Sequence, residues 1–158
     1  MGDALAVCLM EMKGFNSADF AKFHPGGTLG KKLYLRVSDL IIHNQKPAVK
    51  PTATIKEVIV EITTNRLGAT AVTGIDNKII GIITDGDLRR MLENNDVVNA
   101  LMAKDIMGVS PKTIHADALA AEAFEIMRDK NISQLLVLEN EQYAGIVHLH
   151  DLIREGII

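Results

Sequence analysis

Apolar residues follow two patterns in turn along the chain. One is a spacing of three and four residues, which is typical of helices, and the other is a short continuous run, which is typical of buried strands. In the first helical stretch the apolar positions are spaced by three and four residues, which places them on one face: Ile55, Val58, Ile59 and Ile62. Thr54 and Glu57 have the spacing of a capping box, and Gly68 is a suitable left-handed residue at the end of this helix. Two apolar runs, 69–73 and 79–84, then predict a β-hairpin.

The same pattern occurs again 64 residues later. Residues 81–90 read GIITDGDLRR and residues 145–154 read GIVHLHDLIR, and five of these ten positions are identical. The match continues without a gap back to Ile55 over Leu119. A second hairpin is predicted from the apolar runs 135–138 and 143–147. An internal repeat of this length indicates two copies of one structural unit.

The alignment also predicts the second helix. Asp117 is expected to cap it, Asn131 to end it in the left-handed conformation, and Leu119, Ala123 and Ile126 to form its buried face.

Each unit reads strand, helix, strand, strand, helix over roughly 60 residues, a length at which one unit buries only a modest core. We therefore predict an α/β (α+β) fold in which two β-α-β-β-α repeats pack with pseudo-twofold symmetry and leave ligand-sized clefts between them. Residues 37–96 are assigned to the first repeat, residues 97–158 to the second, and residues 1–36 to a separate leading segment.

The leading segment contains a predicted helix, 3–13, that is apolar on every face between Ala4 and Met10. Such a helix needs partners on all sides, so we expect it to belong to a larger domain that begins before this chain. Seven apolar residues are far fewer than the roughly 20 of a membrane span. The segment also lacks the basic start of a signal peptide, which favours a cytoplasmic protein with no membrane partner.

Composition narrows the function further. The chain has 158 residues, 17 of them basic and 20 acidic, with a net charge of −3, 4% aromatic residues and no Trp. This composition offers neither the basic excess nor the aromatic platforms that nucleic-acid binding requires. Cys8 is the single cysteine, which excludes an internal disulfide and a cysteine-rich zinc site.

Residues 81–87, Gly-Ile-Ile-Thr-Asp-Gly-Asp, resemble the CBS domain, whose tandem pairs regulate many enzymes and channels. Further motifs at 2–7, 24–30, 84–90 and 148–152 together resemble bacterial D-arabinose 5-phosphate isomerases, in which a sugar-isomerase (SIS) domain precedes a CBS pair. The resemblance implies that residues 1–36 are the tail of an SIS domain and that the rest is the complete tandem CBS pair.

The first candidate ligand residues follow the strand at 79–84. Thr84 adds a hydroxyl to the free backbone N–H groups of a helix start, where a phosphate would bind, and Asp87 can accept both hydroxyls of a ribose. Asp85 and Arg89 complete this set, the arginine as a partner for a phosphate. The spacing of Thr84 and Asp87 is equally that of a capping box, and with the resemblance we favour a dual role.

The second repeat places His148 where the first has Thr84, and Asp151 keeps the carboxylate. Because histidine is a poor N-cap, this change weakens a pure capping explanation. On an extended segment His148 and His150 would point to one side and, when protonated, bind a phosphate or carboxylate. The alternative is a pair of surface histidines. No further ligand with suitable spacing accompanies Asp151, so no metal is expected.

His24 lies in a His-Pro-Gly-Gly motif, and the resemblance implies that it is a catalytic residue of the intact isomerase. No second acid, base or phosphate loop accompanies it here, so we expect no isomerase activity from this chain alone.

The resemblance implies a regulatory module without a cofactor, whose effector is a nucleotide or nucleotide sugar. CMP-Kdo, the activated product downstream of the isomerase, and the adenine nucleotides AMP and ATP are the two expected choices. Expected partners are the chain's own SIS domain and further copies, as a homodimer of the CBS pair and a homotetramer of the whole enzyme. The alternative is a structural oligomerisation module that binds no ligand.

Overall fold

The computed structural model describes residues 2–14, 19, 27–94 and 100–158. The described residues of the leading segment include α1 (Gly2–Met12) and α2 (Thr28–Tyr34), and α3 (Val37–Ile41) begins the first repeat. The first repeat contains β1 (Ala48–Val49), α4 (Ile55–Asn65), β2 (Ala69–Thr73), β3 (Ile79–Thr84) and α5 (Asp85–Asn94). The second contains α6 (Ala103–Ile106), β4 (Thr113–His115), α7 (Ala120–Lys130), β5 (Gln134–Glu139), β6 (Gln142–His148) and α8 (Leu149–Arg154).

The two repeats form sheets of the same topology. In the first, β2 lies between the parallel strand β1 and the antiparallel strand β3. In the second, β5 lies in the same way between β4 and β6. The predicted mixed α/β fold with two β-α-β-β-α repeats is therefore confirmed.

Helix α4 forms as its sequence predicts at its start and differs at its end. The Thr54 hydroxyl accepts the backbone N–H of Glu57 at 3.3 Å, and the Glu57 carboxylate accepts the backbone N–H of Thr54 at 2.7 Å. This capping box satisfies two donors that the first turn leaves free. The left-handed residue that ends the helix is Arg66, with φ 56°, and not Gly68 as predicted. Gly68, with φ 65°, belongs to the turn into β2.

The predicted alignment of the two helices is wrong by one residue. The buried residues of α7 are Ala120, Ala123 and Met127, and they match the buried Ile55, Val58 and Ile62 of α4 at a separation of 65. Leu119 is instead the N-cap, and Ile126 is only partly buried.

Asp117 does not cap α7, and its main-chain carbonyl accepts a hydrogen bond from the Arg36 guanidinium instead. The cause of the shift is the second hairpin. Thr73 pairs with Ile79 in the first repeat, whereas Leu138 pairs with Tyr143 in the second, so the second turn is one residue shorter. The separation is 65 before this turn and 64 after it.

The leading helix of each repeat packs against the other repeat. Val37, Leu40 and Ile41 of α3 belong to the hydrophobic core around the second sheet. Ala103 of α6 belongs to the core around the first sheet, with Ile106 packed against it. The sequence repeats, for which 37–96 and 97–158 stay our proposed bounds, therefore exchange their leading helices.

Backbone hydrogen bonds anchor both exchanged helices. The N–H of Val37 donates to the carbonyl of Ala118 at 2.9 Å, and the N–H of Ala103 donates to the carbonyl of Ala53 at 2.8 Å. Neither helix can leave without breaking contacts in the other repeat, which ties the two repeats into one unit.

A third core cluster joins the repeats directly. It contains Ala69 and Ala71 of β2 together with Leu136, Tyr143 and Ile146 of β5 and β6. The Tyr143 hydroxyl donates to the carbonyl of Pro47 at 2.9 Å, and burial, with the nearby Glu61 charge, raises the pKa of that hydroxyl above its ordinary range. The small side chains of β2 allow the two sheets to approach closely.

The leading segment also contacts the second repeat near the chain's end. The Lys31 ammonium forms an ion pair of 2.9 Å with the Glu155 carboxylate, and this contact lowers the pKa of Glu155. The apolar helix α1 exposes five large side chains: Leu5, Val7, Leu9, Met10 and Met12. No helix in the described ranges is both long and apolar enough to cross a bilayer. His24 lies outside the described residues.

Candidate functional site

A cleft of about 500 Å³ lies between the two repeats. One side is the end of α4 and the turn into β2, and the other is the start of β5 and the junction of β6 with α8. Five titratable side chains line it: Arg66, Asp85, His148, His150 and Asp151. Both signs of charge therefore face one cavity large enough for a small ligand.

Because Gly68 has no side chain, the two repeats can approach each other closely at this cleft. A Cβ atom on this glycine would lie 3.2 Å from Nε2 of Gln134 and 3.4 Å from Oδ2 of Asp85. Nε2 of Gln134 also donates to the carbonyl of Leu67 at 3.3 Å, which links the second repeat to the first. The positive φ and the limited space both favour glycine here.

His148 caps helix α8. The backbone N–H of His150 donates to Nδ1 of His148 at 3.0 Å, and the Asp151 carboxylate accepts the backbone N–H of His148 at 2.9 Å. The expectation that histidine weakens the capping explanation is therefore wrong, because the neutral imidazole offers an acceptor nitrogen. His150 lies within α8 rather than on an extended strand, yet the two rings meet edge to face with centroids 4.9 Å apart.

Asp151 is the buried charge of the cleft, with 4% of the residue exposed. Besides the His148 N–H, its carboxylate accepts the side-chain amide of Asn44 at 2.9 Å and the Arg154 guanidinium at 3.1 Å. Asn44 also donates to the carbonyl of Ile146 at 3.2 Å. Because Asn44 lies just after α3, Asp151 connects the cleft to the segment that enters from the leading helices.

The surroundings lower the pKa of His148. Burial is the largest cause and the neighbouring His150 the second, while the Asp151 carboxylate acts in the opposite direction. The neutral ring is the form that accepts the hydrogen bond from the His150 backbone N–H. The lowered pKa and the capping hydrogen bond therefore favour the same form of His148.

This shift predicts a pH dependence of stability. The pKa of His148 in the folded protein lies below its ordinary value of 6.5, so the unfolded chain binds more protons below that pH. The stability contributed by neutral His148 is complete above about pH 6.5 and is lost as the pH falls. Thermal melting at pH 7.5 and at pH 5.5 should show a smaller fall for His148→Asn than for the wild type.

Asparagine is the matched replacement because it is a good N-cap and does not titrate. An equal fall in melting temperature for the two proteins would contradict the assignment of this titration to His148.

Thr84, Asp87 and Arg89 do not line the cleft. Thr84 and Asp87 form the capping box of α5, in which the Asp87 carboxylate accepts the Thr84 backbone N–H at 2.8 Å and its hydroxyl at 2.6 Å. Arg90 donates to the other Asp87 oxygen at 2.5 Å. The capping role of this pair is thus observed, and a ligand role for Thr84, Asp87 or Arg89 stays a prediction.

The structure brings Asp85 of the first repeat to His148, His150 and Asp151 of the second. The sequence did not point to Arg66, Gly68 or Gln134, which also line the cleft. Of these three residues, only Gly68 had a signal in the sequence, because a glycine just after a helix indicates a positive φ. Within the described ranges, no group of three or more His, Cys, Asp or Glu side chains is placed to hold a metal ion.

Comparison with known proteins supports the repeat architecture. The model of the CBS domain family matches the chain twice, at residues 37–94 and 103–157. The chain belongs to the CBS domain family. Each match contains one β-α-β-β-α repeat, and the cleft described above lies between the two.

The chain is also similar to a longer enzyme. An arabinose 5-phosphate isomerase KdsD from Yersinia pestis is 41% identical over 160 residues, which include all of this chain and 48% of the relative. The chain thus spans about half the length of the curated relatives it matches.

Solved structures show the same fold. A CBS domain protein from Pyrobaculum aerophilum, solved in complex with AMP, is 26% identical with a TM-score of 0.66, over 75% of this chain and 90% of that one. A CBS-domain containing protein from Agrobacterium tumefaciens is 23% identical with a TM-score of 0.66, over 75% of this chain and 97% of that one.

Proposed function

We propose that this CBS pair is the regulatory part of an arabinose 5-phosphate isomerase and that its cleft binds a nucleotide or nucleotide-sugar effector. The observation that carries the proposal is the cleft between the repeats, in which one permanent cation, two histidines and two carboxylates meet. Binding at such a site biases the arrangement of the two repeats, and a second site of this kind is what feedback on an enzyme requires.

The cleft residues match the parts of a nucleotide. The Arg66 guanidinium is a fixed positive charge with a planar set of donors for a phosphate. His148 and His150 add two imidazoles, whose ring N–H groups can donate hydrogen bonds to a phosphate. Asp85 is exposed and offers a carboxylate for sugar hydroxyls, whereas Asp151 is buried and already accepts three donors. We therefore assign the sugar to Asp85 and the phosphate to Arg66 and the histidines.

Two effectors are proposed. The AMP bound by the Pyrobaculum aerophilum protein supports an adenine nucleotide, AMP or ATP. CMP-Kdo is the alternative, because an activated product further along the route differs from the substrate and needs a separate site. The carboxylate of CMP-Kdo adds a second anionic group, for which Arg66, His148 and His150 together provide partners.

In the whole enzyme, a catalytic SIS domain would convert ribulose 5-phosphate to arabinose 5-phosphate, with His24 among its catalytic residues. Helix α3, which follows the leading segment directly and packs into the second repeat, supports communication with that domain. The expected homodimer of the pair and homotetramer of the enzyme stay predictions, as does the absence of isomerase activity in this chain alone.

The test is a thermal-shift series with AMP, ATP, CMP, CMP-Kdo and arabinose 5-phosphate at millimolar concentration. A ligand at 100 times its Kd raises the free energy of unfolding by about 2.7 kcal/mol, which shifts Tm by several degrees for a domain of this size. We expect AMP, ATP or CMP-Kdo to raise Tm, and Arg66→Asn to remove most of that rise. Asparagine tolerates the left-handed conformation of Arg66, so the fold is kept.

Arg128→Gln is the matched control, because Arg128 is an exposed arginine that does not line the cleft. Its ligand response should equal that of the wild type. A cooperative melting transition that no ligand shifts would overturn the proposal in favour of the structural oligomerisation module.

A further inference from the structure

The internal symmetry defines a second surface that corresponds to the cleft. With the separations of 65 and 64 established above, each cleft position has an equivalent in the other repeat. Six cleft residues are compared: Arg66, Gly68, Asp85, His148, His150 and Asp151. Their equivalents, in the same order, are Asn131, Ser133, Leu149, Thr84, Gly86 and Asp87. We call these six equivalents the counterpart surface. Matching backbone hydrogen bonds support this equivalence, since Asp85 N–H donates to Gly68 and Leu149 N–H donates to Ser133.

The counterpart surface lacks the groups that favour an anion. Asn131 replaces Arg66, and Thr84 and Gly86 replace the two histidines, so all three titratable bases at these positions are absent. A basic residue, Arg128, stands at the equivalent of Thr63. Its guanidinium donates to Glu125 at 3.0 Å and to Asp129 at 3.1 Å, so an anion would compete with two carboxylates for it.

Arg90 and Arg154 do not distinguish the counterpart surface from the cleft. Each donates to the aspartate three residues before it, Asp87 and Asp151, and each side chain is largely exposed.

The sugar-binding group is also replaced. Asp85 is exposed and faces the cavity, whereas its equivalent Leu149 is partly buried and packs against the core of the second repeat. At the equivalent of Gln134 stands Ala69, which is fully buried in the core that joins the repeats. An apolar side chain therefore lies where the cleft presents a carboxylate.

The remaining polar groups of the counterpart surface bond to each other. Both the hydroxyl and the backbone N–H of Thr84 donate to one Asp87 oxygen, and Arg90 donates to the second. A nucleotide would have to break this box to reach the Asp87 carboxylate, with a loss to the start of α5.

We infer that each chain binds one effector molecule, in the cleft of Arg66 and the two histidines, and that the counterpart surface binds none. The inference rests on the proposed function and deepens it, because it assigns Leu149, Asn131 and Gly86 as the residues that make the pair asymmetric.

Isothermal titration calorimetry with AMP and with CMP-Kdo as probes tests this inference on the chain. We expect one molecule bound per chain, an affinity about tenfold weaker in His150→Ala, and an unchanged affinity in Arg128→Ala. The two variants are matched, since both remove an exposed helical side chain, one from the cleft and one at the equivalent of the cleft residue Thr63. His150→Ala keeps the backbone N–H that caps with His148.

Two results would overturn the inference and leave the proposed function standing: two molecules bound per chain, or equal weakening by the two variants. Absence of heat with both probes, at concentrations that leave the fold intact, would overturn the proposed function and this inference together.

Discussion

Leu136→Ala should lower the free energy of unfolding by about 2–5 kcal/mol and Tm by roughly 5–15 °C. Leu136 is fully buried in the cluster that joins the repeats, where its neighbours include Ala69 and Ala71 of β2. These small neighbours cannot fill the cavity that the truncation leaves, so the loss falls toward the upper part of that range. Urea unfolding followed by circular dichroism and by tyrosine fluorescence would measure it.

The same experiment tests whether the two repeats unfold as one unit. Because the cluster and the exchanged helices span both repeats, the two probes should report a single transition in the variant as in the wild type. Leu92→Ala is the matched control, since Leu92 is 60% exposed, and it should change the stability by no more than about 0.5 kcal/mol. Two separate transitions in Leu136→Ala would show that the repeats are independent and contradict this account of the fold.

The second large effect is expected at the buried carboxylate of the cleft. Asp151→Ala removes the acceptor for the His148 N–H and for the Asn44 amide, and it should lower the free energy of unfolding by about 2–4 kcal/mol. The exposed Arg154 adds little to this value. Chemical denaturation gives the magnitude, and hydrogen exchange should show faster opening of residues 41–47, which Asp151 holds through Asn44.

The internal repeat supplies the matched control. Asp87→Ala removes an equivalent capping box, but among the residues that the structure describes this aspartate bonds to Thr84 and Arg90 alone, within one turn of the chain. It should therefore cost about 1 kcal/mol, the ordinary value of a cap, and leave residues 41–47 unaffected. Equal losses for the two variants would contradict the linking role of Asp151.

The sequence predicted the elements of the fold because each carries a local signal. The two short apolar runs located β2 and β3, and the Thr54–Glu57 spacing located the start of α4. The exchange of α3 and α6 carries no such signal, since a helix of four or five residues with one apolar face packs equally well on either sheet. The one-residue shift of α7 was missed because the shorter turn compensates for it, so the identical residues at 81–90 and 145–154 align perfectly.

The candidate site was predictable only in part. The repeat motif drew attention to the starts of α5 and α8, and four of the residues chosen there line the cleft. Whether such a residue faces a cavity depends on the other repeat: Asp85 meets Gly68 and Gln134, whereas Asp87 turns toward its own helix. Arg66 was missed because the conformation that turns it toward the cleft arises where α4 ends, and no residue pattern specified arginine for that role.

An amide chemical-shift map of this chain, titrated with AMP and, separately, with CMP-Kdo, tests the effector site most directly. We expect the ligand that binds to shift the resonances of residues 66–68, 85, 134 and 148–151 most strongly, with residues 44–46 following through Asp151. If a ligand saturates the protein but most strongly shifts resonances elsewhere, at 84–87 and 131–133 or on the outer helices, this would contradict the assignment of the cleft as the effector site.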